Sequence, residues 1–414
     1  MKFSRIVSIL LFLVAFVFNE WAFRFIFPLQ PIDSFLRLMT LVLDGFLLTV
    51  VLTLWIGNDS ITGGLKHLII NRPKRLGLFF GLFFSYCLLM TIEFSCRYYF
   101  KHVYQAPYKE ATYWEPSAIE RDSILGSVLA KDTAISHAYV VNDSLIYKQY
   151  YRTDEFRRRI NPPSYPDSTY NEFAMVTGCS FAFGYGLSEN QTLSHYLDSV
   201  TGKRSYNYGV AGHGTQQTLA LLQSRNLKQE IKEENGVLIH LFIDDHLPRL
   251  IGSRRLIKLW AQNFPYYHLD GDSLKRDGSF WTGRHWLTRF YRAISQSAFI
   301  DLFDIDFPWY VSNGHMQLFG AVLEESKREF LRQYPNGKFL VVIGPNSKLA
   351  ARVGEELNHR NVDALDLSNL LNKEEKQYKI HWTEGHPNEN YYRELAVEID
   401  AYLKSQESTS SNTR

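Results

Sequence analysis

Three long apolar stretches lie in the first hundred residues of the chain, near residues 6–27, 36–56 and 76–97. A helix needs about 20 apolar residues to cross the hydrocarbon core of a bilayer. The core of the second stretch carries only Asp44, and most of the third carries no charge. The pattern therefore predicts a transmembrane region over residues 1–100 with about three helices.

The first stretch also fits a secretory signal, because Lys2 and Arg5 precede a short apolar core. No small-residue cleavage site follows, so we interpret it as an uncleaved helix. Further basic residues lie between the second and third stretches: Lys66, Arg72, Lys74 and Arg75. Because cytoplasmic loops are enriched in Lys and Arg, both basic regions are expected in the cytoplasm, and everything after Arg97 outside it.

The pattern changes twice after residue 100. Residues 101–166 are polar with short β-like runs, and they predict a stalk or a small β-rich segment. In residues 167–405, short apolar runs alternate with helical patterns. The predicted strands are residues 173–176, 205–210, 237–243, 339–344 and 362–367. The predicted helices are residues 192–200, 216–231, 316–334, 348–358 and 389–403. This alternation predicts an α/β fold in which helices cover both faces of a parallel sheet.

Two segments stand outside this alternation. Residues 250–315 are rich in aromatic residues and Arg, and they predict an insertion over one face of the sheet. Residues 406–414 have no apolar face and predict a disordered tail. Basic residues (45) and acidic residues (43) give a net charge of +2, so a nucleic-acid partner is not expected. Three cysteines exclude a disulfide framework.

A serine follows the first predicted strand of the domain, where open parallel sheets bind ligands. The segment reads Thr177-Gly178-Cys179-Ser180-Phe181. It lacks the Gly-Lys-Ser/Thr of a phosphate loop and the second glycine of a Gly-x-Ser-x-Gly elbow. From this junction alone, Ser180 is explained equally well as a helix-capping serine or as a nucleophile.

Two later junctions add polar residues in a definite order. The second predicted strand runs into Asn-x-Gly-x-x-Gly at residues 207–212, and acid-x-His-Pro-Asn at residues 384–388 precedes the last helix. With Gly-x-Ser-Phe at residues 178–181, this order resembles the SGNH, or GDSL-like, hydrolase superfamily over roughly residues 122–403. The segments before the domain resemble those of membrane-anchored bacterial members. The resemblance implies a three-layer, flavodoxin-like parallel sheet and a place in the bacterial cytoplasmic membrane.

The resemblance implies that Ser180 is the nucleophile of an acyl transfer. A serine hydroxyl is a poor nucleophile unless a base lies within hydrogen-bond reach, and His386 is the candidate base. Glu384 is the candidate carboxylate that holds the imidazole tautomer. The commonest family pattern has aspartate three residues before the histidine, where this chain has Thr383. Some glycan-modifying relatives have aspartate two residues before it, which is the position of Glu384.

The negative oxygen of a tetrahedral intermediate needs preorganised donors. The resemblance implies the amides of Ser180 and Gly212, and a third donor where this chain has Asp244. An ionised Asp244 about 4 Å from that oxygen would oppose catalysis by roughly 4 kcal/mol at an effective dielectric near 20. Catalysis therefore requires Asp244 to be protonated, turned away or neutralised by Arg249.

Three residues are candidates for substrate binding: His246, Arg249 and Asn346. His246 or Asn346 is also an alternative third donor. A metal site built from Asp244, Asp245, His246 and His240 matches no common ligand spacing and is disfavoured. Cys179 is interpreted as a small buried residue rather than as a nucleophile. No cofactor or metal is expected.

The sequence thus predicts a membrane-anchored serine esterase or O-acyltransferase that acts on an acylated or acceptor cell-surface glycan. Its expected partners are this substrate and the lipid bilayer. The alternative is a binding or assembly module for a surface polysaccharide that keeps the fold without the chemistry. Asp244, Cys179 and Glu384 favour this alternative, because they depart from the family pattern. A transporter ranks last, because about three spans make a poor transport path.

Overall fold

The computed structural model describes residues 73–371 and 376–411, together with seven positions between 37 and 47. The first predicted membrane helix, and most of the second, lie outside these residues. The chain divides into two compact units. One comprises Met1–Gln105 with Arg289–Asp306, and the other Ala106–Thr288 with Phe307–Arg414. The domain boundaries drawn from the sequence stay a prediction.

The secondary structure from residue 73 onward follows in chain order. The α-helices are α1 (Pro73–His102), α2 (Ser180–Phe183), α3 (Leu193–Thr201), α4 (Thr215–Ser224), α5 (His246–Ile251), α6 (Arg254–Leu259), α7 (Phe280–Gly283), α8 (His285–Ile294), α9 (Ala298–Leu302), α10 (Asn313–Gln333), α11 (Ala350–His359) and α12 (Glu389–Ser411). The strands are β1 (Glu110–Glu115), β2 (Ile119–Asp122), β3 (Gly126–Leu129), β4 (Ala134–Val141), β5 (Ser144–Arg152), β6 (Glu172–Gly178), β7 (Arg204–Asn207), β8 (Asn235–Phe242), β9 (Pro265–Asp270), β10 (Ser273–Ser279), β11 (Lys338–Ile343) and β12 (Asp363–Asp366).

In the first unit, α1 is one continuous helix of 30 residues that includes the third predicted stretch. In the part of the chain that the structure describes, no helix has both the length and the apolar character of a membrane span. Glu93 of α1 is buried and accepts hydrogen bonds from Ser297 Oγ (2.7 Å) and from the backbone N–H groups of Ala298 (2.9 Å) and Phe299 (3.2 Å). This acidic side chain therefore caps the start of α9.

The second unit is built on a five-stranded sheet in the order β12-β11-β8-β6-β7. Every neighbouring pair in it is parallel. Counted along the chain, this is the 2-1-3-4-5 order of flavodoxin-like sheets, which agrees with the predicted fold class. The strand order reverses between β6 and β8, so the carboxyl ends of these strands flank the crevice where such sheets bind ligands.

Strand β6 shows why the sheet is covered on both faces. Phe173 and Met175 belong to a core cluster with residues of α4, α10 and α11, whereas Ala174 and Val176 belong to a second cluster with residues of α3 and α12. Because side chains alternate along a strand, each face of β6 packs under a different helix layer. This three-layer packing accounts for the unbroken apolar runs in the sequence.

Two helices end where the sequence pattern does not predict. Helix α4 ends at Ser224 rather than near residue 231, because Arg225 is extended (φ −112°, ψ 142°). The Gln333 side chain stabilises this end, since its amide nitrogen donates to the carbonyls of Leu222 and Arg225 and its oxygen accepts from the Leu227 N–H. Helix α12 continues to Ser411, so residues 406–411 are helical and not part of a disordered tail.

Residues 106–166 are β-rich. Strands β1, β4 and β5 form an antiparallel sheet in the order β1-β4-β5, and β2 pairs with β3. Aromatic side chains of this sheet pack against the turn that follows α2, in a cluster that contains Tyr151 and Phe183 with Trp114 and Tyr185 against it. The β-rich segment therefore forms part of the surroundings of Ser180.

Candidate active site

Ser180 is presented by a tight turn at the end of β6. Gly178 has φ +139°, and a Cβ there would lie 2.9 Å from the carbonyl oxygen of Leu241. Glycine is therefore required at this position. Cys179 is the N-cap of α2, and Ser180 is its first residue, so the Ser180 amide has no partner within its own helix. The turn thus places both the hydroxyl and the amide of Ser180 beyond the sheet.

Two side chains hold the end of α2 through hydrogen bonds to backbone carbonyls. Asn207 donates from Nδ2 to the carbonyls of Ala182 (3.1 Å) and Phe183 (3.3 Å). Arg159 is buried and donates to the carbonyls of Phe183 (2.7 Å), Gly184 (2.6 Å) and Leu187 (2.5 Å). These bonds satisfy carbonyls at the end of a short helix, which would otherwise be buried without partners.

The three predicted triad residues lie together. Ser180 Oγ is 2.7 Å from His386 Nε2. The other ring nitrogen, Nδ1, contacts Oε1 of Glu384, while Oε2 of Glu384 accepts the backbone N–H of His386 at 3.0 Å. Because Nδ1 faces a carboxylate, the hydrogen-bond network assigns the ring proton to Nδ1 and leaves Nε2 to accept from the serine hydroxyl. Glu384, which lies two residues before His386 in the chain, therefore contacts the imidazole.

The loop that carries His386 is closed by its own hydrogen bonds. The N–H of Ile380 donates to the carbonyl of His386 (3.2 Å), and the N–H of Asn388 to that of Tyr378 (3.0 Å). The Asn388 side chain donates to the carbonyl of Gln377 at 2.7 Å, and its oxygen accepts from the N–H groups of residues 390 and 391 at the start of α12. The Pro-Asn pair after the histidine therefore fixes the loop to the helix.

An aromatic stack supports the imidazole from behind. The Tyr185 ring is stacked on His386, with centroids 4.3 Å apart and planes at 21°. His137 meets the edge of Tyr185 at 4.5 Å and is itself stacked on Trp114 at 3.9 Å. Burial lowers the pKa of His137 to about 3, with smaller contributions from His386 and Arg159. His137 is therefore neutral at physiological pH and does not repel a protonated His386.

A cavity of about 500 Å³ opens above the serine. Ser180, His386 and Gly212 all line it. Gly212 has φ +84°, and a Cβ there would lie 3.2 Å from Trp260 Nε1, so the chain approaches Trp260 closely at this point. The residues of the two predicted oxyanion amides therefore border the same space as the hydroxyl and the imidazole.

Asp244 lines this cavity, but its carboxylate is bound to a neighbouring loop. Oδ1 accepts from Ser347 Oγ, and Oδ2 accepts the N–H of Lys348 at 2.8 Å. Arg249 does not neutralise Asp244, because its guanidinium donates to the carbonyl of His213 (2.9 Å) and to Asp245 (3.4 Å). Of the three alternatives open from the sequence, the structure matches an Asp244 that is turned away.

Of the three predicted substrate-binding residues, one lines the cavity and two do not. Arg249 is the residue that lines it. His246 is fully buried, lies 5.2 Å from His240 between ring centroids, and is not among the lining residues. Asn346 also lies outside the lining, and its N–H donates to the carbonyl of Ser368 at 2.7 Å. Direct substrate contact in this conformation is therefore open to Arg249 and not to His246 or Asn346.

Burial argues against two chemical alternatives, namely Cys179 as a nucleophile and a metal site that includes His240. Cys179 is fully buried and does not line the cavity, which matches its interpretation as a packing residue. His240 is also buried, with Nδ1 within 3.1 Å of Thr177 Oγ1 and 3.2 Å of Thr218 Oγ1, and burial lowers its pKa to about 3. Among the described residues, no group of three or more His, Cys, Asp or Glu side chains could hold a metal ion.

Sequence reasoning missed Arg159, Tyr185 and Trp260. The run of three arginines at residues 157–159 and the aromatic residue between Gly184 and Gly186 were the available signals. Nothing in the pattern around Trp260 distinguishes it from its aromatic neighbours in the predicted insertion.

Comparison with known proteins gives only slight likenesses. No protein-family model matches the chain, and no curated protein matches it significantly. A solved protein assigned to the G-D-S-L family of lipolytic proteins, from Desulfitobacterium hafniense, is 10% identical over 56% of this chain and 98% of its own, with a TM-score of 0.31. An acetyl xylan esterase from the rumen bacterium Butyrivibrio proteoclasticus is 10% identical over 60% of this chain and 66% of its own, with a TM-score of 0.32. Similarities at this level do not indicate an activity, which is therefore inferred from the geometry of the site.

Proposed function

We propose that this chain is a serine esterase or O-acyltransferase that works through an acyl-enzyme on Ser180. The observation that carries the proposal is the hydrogen-bonded series from Ser180 Oγ through His386 to Glu384, which opens into a cavity. A nucleophile, a base within 2.7 Å and an orienting carboxylate are the parts that acyl transfer needs.

The chemistry follows from these positions. Ser180 Oγ attacks the ester carbonyl carbon and gives its proton to His386 Nε2, while the carbonyl oxygen takes the negative charge. The amides of Ser180 and Gly212 are the donors for that oxygen. As the intermediate collapses, His386 returns the proton to the departing alcohol and the acyl group stays on Ser180. Water, or a sugar hydroxyl, then attacks the acyl carbon and gives its proton to His386. As this second intermediate collapses, the bond from the acyl carbon to Ser180 Oγ breaks, His386 returns the proton to Oγ, and the free acid or the acylated sugar leaves.

The alcohol portion of the substrate is proposed to be a cell-surface glycan. Asp245, Arg249 and Lys379 line the same cavity as Ser180, and such side chains hydrogen-bond to hydroxyl groups. The position of Glu384, two residues before His386, also resembles that of the aspartate in some glycan-modifying relatives.

We further propose that the N-terminal region anchors the chain in the bacterial cytoplasmic membrane as a multi-pass region, with the catalytic domain outside the cytoplasm. The support is the three apolar stretches and the basic residues between the second and third. A phosphatase reporter, active only outside the cytoplasm, and a fluorescent reporter, active only inside it, would each be fused after Arg414. Phosphatase activity alone is expected, and fluorescence alone would contradict this orientation.

The esterase proposal is tested by hydrolysis of a chromogenic ester with the full-length chain in lipid nanodiscs. Ser180→Ala and His386→Ala are expected to lose activity by at least about a thousandfold. Ser194→Ala is the matched control, because Ser194 is a fully buried serine in the neighbouring helix α3 and does not line the cavity. Activity that survives in Ser180→Ala would exclude this nucleophile.

Absence of wild-type activity on every ester, with no reaction at Ser180, would favour the binding-module alternative. Where activity is present, adding a sugar acceptor separates the two reactions. A transferase is expected to form the acylated sugar at the expense of free acid, whereas an esterase would release only the acid.

A further inference from the structure

A second cavity of about 360 Å³ adjoins the one above Ser180. The two share four lining residues: Tyr185, Ala211, Gly212 and Trp260. Gly212, whose amide is a candidate oxyanion donor, therefore lies on the border between them. A group bound at the Ser180 hydroxyl can extend into either space.

The two cavities differ in chemistry. The first has acidic and basic side chains on its wall, including Asp245 and Arg249. The described residues that line the second include no charged side chain. Most of its wall is apolar or aromatic: Trp114, Ala118, Ile119, Leu129, Phe183 and Phe264. A sugar there would leave hydroxyl groups without partners, whereas an alkyl chain would gain from leaving water.

We propose that this second cavity holds the acyl chain of the ester, and that the chain is apolar and longer than acetyl. The proposal rests on the proposed function, since it assigns the acyl side of the same substrate. With the carbonyl carbon at Ser180 and its oxygen towards Gly212, the alkyl chain runs along Trp260 into the second cavity. The alcohol portion then occupies the polar cavity beside Arg249.

The β-rich segment before the domain builds one wall of this subsite. Ile119 in β2 pairs directly with Leu129 in β3, and both line the cavity. Trp114 in β1 is held by its stacking on His137, with planes at 12°. Phe183, the last residue of the helix that begins with Ser180, also lines the cavity. The segment at residues 110–129 thus has a role in substrate selection as well as in packing.

The volume admits a chain longer than acetyl. At about 30 Å³ for each water-sized group, 360 Å³ corresponds to about twelve such groups. Packing without perfect fit reduces this number, so a medium-length chain such as octanoyl fits.

The first test compares acetyl and octanoyl p-nitrophenyl esters with the full-length chain in lipid nanodiscs, since detergent tails would compete for the cavity. Ile119→Trp fills the cavity from its rim, where Ile119 is 38% exposed. Ile124→Trp is the matched control, because Ile124 is 39% exposed and does not line either cavity.

Each buried methylene is worth about fourfold, so displacing two lowers kcat/KM for octanoyl by more than about tenfold. Wild type is expected to prefer the octanoyl ester, and Ile119→Trp to lose that preference while acetyl hydrolysis and the Ile124→Trp variant change less than about twofold. An equal octanoyl-to-acetyl ratio in wild type and Ile119→Trp would overturn the proposal.

The second test does not depend on catalysis. Binding of octanoate to Ser180→Ala is measured by titration calorimetry, alone and combined with Ile119→Trp or Ile124→Trp. Loss of octanoate binding only with Ile119→Trp supports the subsite, even if the wild-type chain hydrolyses no ester. Equal octanoate binding in all three variants, or no binding in Ser180→Ala, overturns the subsite. The proposed function is decided separately, by ester hydrolysis in the wild type and its loss in the catalytically active chain after Ser180→Ala.

Discussion

Replacing Asp244 with asparagine tests where the Asp244 carboxylate points. Its two oxygens accept from Ser347 Oγ and from the Lys348 N–H, so the negative charge is directed at the loop after β11. If this placement holds, removing the charge changes the reaction at Ser180 by less than about tenfold. The substitution is expected to cost stability instead, because an asparagine amide group must face one of two donors, at roughly 1 to 3 kcal/mol.

An Asp244 carboxylate that faced the oxyanion would have a much larger effect on the rate of the reaction. A carboxylate about 4 Å from the oxyanion would oppose the transition state by roughly 4 kcal/mol at an effective dielectric near 20. Removing it would accelerate the reaction by nearly a thousandfold, since about 1.4 kcal/mol corresponds to a factor of ten. The two placements therefore differ by about two orders of magnitude in rate.

The assay is the second-order rate constant for fluorophosphonate labelling of the full-length chain in nanodiscs. Asp245→Asn is the matched control, because Asp245 also lines the cavity but pairs with Arg249. Similar rates for wild type and both variants are expected. A several-hundredfold faster rate in Asp244→Asn alone would refute the placement of its carboxylate and, with it, the explanation of how the site tolerates an acid there.

Three further predictions concern single residues. Glu384→Gln should lower kcat for ester hydrolysis by about 10⁴-fold, because the amide group must face a donor on His386 and the ring proton is no longer held at Nδ1; a loss below tenfold would contradict this role. Gly212→Ala should lower kcat by about a hundredfold or more by moving the candidate oxyanion amide, whereas Gly202→Ala, which has a similar positive φ (+66°) but open space around it, should leave kcat unchanged. The buried His137 has a pKa lowered to about 3 against 6.5 unfolded, so the unfolded chain binds the extra proton and stability falls as the pH drops below about 6.5. Between pH 7 and 5 this loss is about 2 kcal/mol in urea unfolding, and an unchanged pH dependence in His137→Phe would contradict it.

The strand pattern of the sheet could be predicted because burial on both faces leaves a direct trace in the sequence. Residues 173–176 are apolar at every position, and residues 237–243 at every position except His240, which distinguishes a covered parallel strand from an amphipathic one. The end of α4 could not be predicted in this way. It depends on Gln333, whose partner Leu222 lies 111 residues earlier in the chain.

The candidate site likewise combines features that are visible in the local sequence with contacts between distant segments, which are not. Ser180 and His386 became candidates through local features, namely the end of a strand and the Pro-Asn pair before a helix, together with the order of the motifs at residues 178–181, 207–212 and 384–388. The direction of Asp244 depends on Ser347 and Lys348, which are 103 and 104 residues away. The stacking of Tyr185 on His386 is likewise a contact between distant segments. Such contacts are set by tertiary packing, so residue spacing alone does not reveal them.

The most direct test of the central claim is to map the fluorophosphonate adduct by mass spectrometry. The labelled chain is digested, and fragment ions that separate Cys179 from Ser180 locate the added mass. The account predicts a single adduct on Ser180, lost in Ser180→Ala and slowed at least a hundredfold in His386→Ala. An adduct on Cys179 or any other residue, or labelling that is indifferent to His386, would contradict it.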